Sequence, residues 1–210
     1  MKPHIELVTD EISARACRRF WYDVYVLEMG RHRGTEPLVD HSKGELSDPL
    51  QPKADLFAAW VGGEVVGTLQ SAYARHGQLA KYIELYNLVD QSSEHIHTAS
   101  ITNKLMVAKP YRATGLAFHL GVETYKKGLR DGIQTNYIDC NDYLVDFYRR
   151  LGYREHLGWI DHKDYGRVYS MVFSLHDEAN LRRTRSPLLR VFTAFNQTNP
   201  TGEIKDEQVA

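Results

Sequence analysis

A chain of 210 residues with 42% hydrophobic and 25% charged residues has the composition of one globular domain, or of one domain carrying an extension. Its net charge of −1 excludes a surface that is wholly a nucleic-acid footprint, and leaves a local basic patch open. No window approaches the roughly 18 uninterrupted apolar residues of a membrane span, and "MKPHIELVTDEIS" has acidic residues where a secretory signal carries its apolar stretch, so a soluble, cytoplasmic protein is expected.

In chain order, Ile12 to Met29 places Ala16, Phe20, Val24 and Leu27 at helical spacing and predicts an amphipathic helix. Residues 30–55, rich in Gly, Pro, Ser and Asp, read as one long connection; loops of that length in compact domains are often functional, and this one is a candidate substrate lid. "LFAAWV", "GGE" and "VVGTLQSAY" predict a β-hairpin around a glycine turn. "LAKYIELYNLVD" fits a helix or a strand. "HTASITNKLMVA" predicts a strand, "ATGLAFHLGVETYKKGLRDG" an amphipathic helix ending near Gly132, and "IQTNYIDCN" another strand. "DYLVDFYRRLG" predicts a short helix with Asn141 or Asp142 as N-cap, and "RVYSMVFSL" a closing strand. This order calls for helices covering a mixed sheet over residues 1–177. A helical extension broken by Pro187 then spans 178–195, and 196–210 lacks the apolar content to pack, so a disordered tail is expected.

Cys17 and Cys140 are the only cysteines and lie far apart, which excludes a cysteine zinc cage and argues against a disulfide framework. His95 and His97, placed on one side of an extended segment, are too few to hold a structural metal, so no metal is expected.

The chemistry is concentrated in "LMVAKPYRATGLAFHL". A strand, Leu105 to Val107, feeds a helix through a turn carrying Arg112 and Gly115. Backbone N–H groups from about Arg112 to Ala117 would converge at the helix N-terminus, where the dipole favours an anion, and Arg112 can add charge-assisted bonds to phosphate. A plain strand-to-helix turn is the competing reading of these residues. The motif's place between a strand and a helix, and the later "FYRRLGY", favour the first.

These two motifs, in this order behind a hairpin, resemble the GNAT acyltransferase superfamily over roughly Cys17 to Leu175. Within it, "YDVYVLEMGR", "SDPLQPKADLFAAWVGGEVVGTLQ" and "NKLMVAKPYRATG" are most similar to the N-acyl amino acid synthase branch, relatives of acyl-homoserine-lactone synthases. The resemblance implies an α/β fold with a mixed, mostly antiparallel central sheet flanked by helices. It also implies a pyrophosphate site in the loop between the family's fourth strand and third helix. The implied activity is N-acyl transfer from a pantetheine thioester, acyl-CoA or acyl carrier protein, to the amine of a small molecule or amino acid.

By the same resemblance, Leu105, Met106 and Val107 pair with the pantetheine arm. Arg112, Ala113, Thr114, Gly115, Leu116 and Ala117 form the pyrophosphate loop, Asn141 contacts the donor, and Tyr148 protonates the leaving thiolate. Three positions depart from the branch: Trp21, Gln70 and Lys104 stand where arginines are common. Loss of guanidinium forks is not conservative, so acceptor or donor can differ from the usual pair. Glu28, Glu84 and Asp139 are candidate general bases and none is assigned. Cys140 reads as a buried structural cysteine. Arg182, Arg183, Arg185 and Arg190 fit a solvated helix face, an acidic carrier protein, or a charged tRNA as alternative donor on the same fold. A catalytically inactive GNAT-like binding module is the remaining alternative.

Overall fold

The computed structural model describes residues 2–31, 38–50, 53–76, 80–162 and 166–199. Strands β1 (His4–Leu7), β4 (Ala54–Val61), β5 (Glu64–Tyr73), β6 (Ala99–Val107), β7 (Thr135–Cys140), β8 (Arg154–His162) and β9 (Gly166–Ser174) form one sheet in the order β1-β4-β5-β6-β7-β9-β8. Every neighbouring pair is antiparallel except β6 and β7. This is the mixed, mostly antiparallel sheet that the sequence predicts. The edge strands β1 and β8 were not separated in the predicted order, because a short strand and a polar one with a bulge lack the apolar alternation that marks β4 and β5. The β4–β5 hairpin turns through Gly62 and Gly63, whose φ values of 60° and 85° suit the tight turn between Val61 and Glu64.

Strand periodicity decides what each face covers. On β4, Leu56 and Ala58 pack beneath α1 (Glu11–Trp21), whereas Phe57 and Ala59 pack beneath α4 (Leu116–Arg130). The second face also carries α5 (Val145–Leu151), α6 (Glu178–Arg183) and α7 (Leu189–Thr198), whose Leu151, Leu181 and Phe192 share one core with Ile138, Met171 and Phe173. Gly67 lets α4 lie close, since a Cβ there would meet Leu116 and Leu120 side-chain carbons at 3.2 Å. Pro187 falls in the break between α6 and α7, and α7 runs on to Thr198; the expected tail beyond it lies outside the described residues.

Four expectations change. The first helix is capped by Asp10, which accepts a hydrogen bond from the Ser13 N–H, but it widens into a π-helix over Tyr22–Glu28. The wider turn shifts the buried stripe to Val24, Tyr25 and Val26 and leaves Leu27 exposed. The segment 30–55 is not one loop: β2 (Leu38–Asp40) and β3 (Glu45–Ser47) pair, and Leu46 and Leu50 are buried, while 32–37 and 51–52 lie outside the described residues. The ambiguous run contains α2 (Ala80–Leu85). His95 and His97 sit in α3 (Ser93–His97) rather than on an extended segment, so they do not share a side. Among the described residues no helix is long and apolar enough to cross a membrane.

Candidate active site

β6 and β7 run parallel for only three register pairs, Ala99 with Thr135, Ser100 with Asn136 and Ile101 with Tyr137, and then part. The cause is local. Opposite β5, one residue, Leu69, faces both Lys104 and Leu105, and Lys104 takes φ 54°, a bulge that bends β6 away from β7. Between the parted strands lies a cleft of about 220 Å³, lined by β6 from Thr102 to Val107 and, across it, by Asp139, Cys140, Asn141 and Tyr148.

The three positions that depart from the arginine-bearing pattern converge on this bulge. Trp21 donates its indole N–H to Thr68 Oγ1 at 2.9 Å, and the Thr68 hydroxyl donates to the Lys104 carbonyl at 3.0 Å. Gln70 donates to Asn103 Oδ1 at 3.1 Å. Lys104 Nζ pairs with Asp48 at 2.9 Å, both side chains almost fully buried, and stands 5.7 Å from the Tyr25 ring centroid. Asp48 also accepts the Leu50 N–H at 2.9 Å. Part of the segment read as a lid is therefore packed behind the site, where Asp48 holds Lys104. No single stretch of sequence signals this cluster, since its members lie on α1, β5, β6 and the 30–55 segment.

At the top of the cleft, the chain leaves β6 through a 3₁₀ turn, Lys109–Tyr111, and enters α4 through Gly115 at φ 81°. Gly115 is the N-cap and supplies no side chain, so the first-turn N–H groups of Leu116 and Ala117 keep the unpaired donors of every helix start. The Thr114 hydroxyl donates to the Tyr111 carbonyl at 2.7 Å. Arg112 does not reach over this nest. Its Nε donates to the Val107 carbonyl at 2.8 Å, and its two terminal nitrogens grip Glu28 at 2.7 and 2.8 Å. That pairing holds the Glu28 carboxyl below its ordinary range.

Tyr148 lines the cleft from α5. It is 7% exposed, its ring lies 5.1 Å from Tyr153 in a T-shaped contact, and its hydroxyl makes no hydrogen bond among the described residues. Burial raises its pKa well above that of a free phenol, so it stays protonated. Asn141 lies at the cleft, but it does not cap α5 with its side chain; it accepts from Arg31 at 3.0 Å and donates to the Tyr143 hydroxyl at 3.3 Å. Cys140 is buried against Met171, and burial pushes its thiol up to about 12, which leaves it no thiolate to attack with. Glu84 is exposed on α2 and does not line the cleft.

Behind Leu105 and Tyr148, on the α4 face, a second and smaller chamber of about 50 Å³ opens, walled by Leu69, Gly121, Tyr125, Phe147 and Phe173. Thr102, Leu105 and Tyr148 line both spaces. Its polar side centres on Asn136, which donates to Ser100 and Thr102 at 2.8 Å each and accepts from the Tyr153 hydroxyl at 2.6 Å. Among the described residues no group of three His, Cys, Asp or Glu side chains could hold a metal ion.

No family model matches this chain, and no curated protein does. Solved structures do. BjaI, a CoA-dependent acyl-homoserine lactone synthase solved with SAM and isopentyl-CoA, matches with a TM-score of 0.67 at 14% identity, over 89% of this chain and 91% of that one. The acyl-homoserine lactone synthase LasI matches with a TM-score of 0.64 at 12% identity, over 83% and 91%. FeeM, an N-acyl amino acid synthase from uncultured soil microbes, matches with a TM-score of 0.62 at 13% identity, over 90% and 98%. The chain therefore has the GNAT-like fold, in the form shared by acyl-homoserine lactone synthases and an N-acyl amino acid synthase.

Proposed function

We propose that the protein is an N-acyltransferase, moving an acyl group from a pantetheine thioester to the amine of a small molecule or amino acid by direct attack. One observation carries this reading: Tyr148, its ring buried, lines the cleft between the parted strands, and its hydroxyl makes no hydrogen bond among the described residues. The pantetheine arm lies along the unpaired edge of β6 at Leu105, Met106 and Val107, with a main-chain N–H there as oxyanion donor. Its phosphate rests on the backbone of residues 112–117, with Arg112 at the rim. Asn141 borders the arm, and Tyr148 protonates the thiolate as the C–S bond breaks. Lys104 and Asn103 line the acceptor's side. Arg182 and Arg183 on α6 are exposed while paired with Glu178 and Asn180, so acyl-CoA and an acyl carrier protein thioester both stand as donors.

The chamber behind Leu105 accepts the acyl chain. At about 50 Å³ it has room for about four water-sized groups, each needing about 10–15 Å³ in this measure, which favours a short acyl group. Gly121 lines it, and a Cβ there would meet nothing within 4 Å. Gly121→Leu is expected to keep acetyl transfer and to lower kcat/KM for four- and five-carbon donors by roughly tenfold or more, read from a donor series. The reading itself is tested by incubating the protein with acyl-CoA thioesters of increasing length and a panel of amines and amino acids. Thiol release is followed by colour and the amide by mass spectrometry. Amine-dependent release of free thiol from short acyl-CoA is expected; no release from any donor overturns it.

A further inference from the structure

Direct attack by an amine needs a proton acceptor, and among the described residues the cleft is lined by two carboxylates, Glu28 and Asp139. Glu28 is gripped by Arg112 through both oxygens, beside the loop assigned to the donor's phosphate, and a pantetheine arm separates that loop from the thioester. Asp139 stands on β7 just past the last residue paired to β6, where the strands part. Strand alternation sends it to the same face as Tyr137, away from Ile138, Cys140 and Tyr148. We propose that Asp139 accepts the proton of the attacking amine and that Tyr86 is its positioning residue; this rests on the N-acyltransferase reading above.

Tyr86 is fully buried just beyond α2, and its ring stacks on Tyr137 at 5.7 Å and on Tyr82 at 6.1 Å between centroids. From that fixed ring the hydroxyl donates to Asp139 Oδ1 at 2.6 Å. The other carboxylate oxygen makes no hydrogen bond among the described residues and is not one of the buried unsatisfied atoms. The residue is half-buried and lines the cleft, so this second oxygen is the one that meets solvent or substrate there. A carboxylate anchored through one oxygen and open through the other is the geometry of a general base.

The two proton carriers then sit on opposite faces of the sheet, with the parted strands between them. The amine nitrogen, on the Asp139 face, attacks the thioester carbonyl carbon and forms the C–N bond. The C–S bond breaks with its electron pair on sulfur, which takes the proton of Tyr148. Asp139 takes the proton shed by nitrogen, so one proton is accepted and one donated. Solvent later returns a proton from the Asp139 carboxyl to the Tyr148 phenolate, and the products are an amide and a free thiol.

The test uses Asp139→Asn, which keeps the shape and the acceptor for Tyr86, and Tyr86→Phe, which keeps the carboxylate and removes its anchor. With an amine acceptor, Asp139→Asn is expected to lower kcat by about 100-fold while acyl-CoA affinity, measured by calorimetry, stays at the wild-type value. Tyr86→Phe is expected to lower kcat by about tenfold. With hydroxylamine as acceptor, whose adduct surrenders its proton readily to water, both variants should come within a few-fold of wild type. Wild-type turnover of the amine by Asp139→Asn overturns the assignment. So does an equal loss with amine and hydroxylamine, the mark of a structural role. If the wild-type protein binds no acyl-CoA and releases no thiol to either nucleophile, the transferase reading fails first and this assignment falls with it.

Discussion

Tyr148→Phe is expected to lower kcat by about 100-fold, the usual contribution of one placed acid, with acyl-CoA binding unchanged. The change removes a single hydroxyl. The ring keeps its contacts with Phe147 and Tyr153, and no protein hydrogen bond is lost among the described residues, so folding has little reason to respond. Stopped single-turnover assays that separate donor binding from thiol release are the measurement. A second sign is available from pH. Burial raises the Tyr148 pKa above the ordinary phenol value near 10, so the acid remains protonated through the alkaline range. Wild-type kcat should hold from neutral pH past about pH 10, where a free phenol is already half ionised. A wild-type rate in the Phe variant would remove Tyr148 from the reaction.

Asp48→Asn is expected to be the most destabilising single polar change, by about 3–5 kcal/mol. It leaves the Lys104 ammonium buried without its carboxylate, while Asn retains an acceptor for the Leu50 N–H. For a chain of this size that corresponds to a fall in Tm of about 6–20 °C by thermal denaturation. Lys104→Met alone strands the Asp48 carboxylate and should cost a similar amount. The double variant Asp48→Asn with Lys104→Met should recover most of the loss, because removing both charges avoids the uncompensated ion. Additive losses would show that the pair is not coupled. The same cycle reports on the site, since Lys104 forms the bulge that parts β6 from β7.

Much of the donor side was legible before the fold. Arg112, Gly115 and Ala117 lie within six residues, and their meaning comes from a strand before them and a helix after them, both written in local periodicity. Tyr148 was singled out by the likeness of "FYRRLGY" to a GNAT signature, on a short helix that local periodicity predicts. The hairpin turn at Gly62 and Gly63 is likewise a local matter of φ. Arg112 marks the limit of this reasoning. Its spacing pointed to a phosphate, yet its guanidinium is clasped by Glu28, 84 positions earlier, and no local pattern encodes that contact.

The acceptor side was not legible. Trp21, Gln70 and Lys104 stood out only as departures from an arginine pattern, and Asp48 not at all; spread over four elements, they become a cluster only when β5 and β6 pair with a bulge. Leu27 went wrong because one π-helical turn, invisible in residue types, rotates everything after it. By itself the sequence pointed to helices over a mixed sheet and to a candidate anion nest, since short-range spacing specifies strands, turns and helix ends, while the role expected of Tyr148 came from the GNAT resemblance. Tertiary structure alone decided where β6 leaves β7, which carboxylate meets Tyr86 at the cleft, and how small the chamber behind Leu105 is. Those features depend on long-range pairing and packing, in which residues far apart in the chain share one volume.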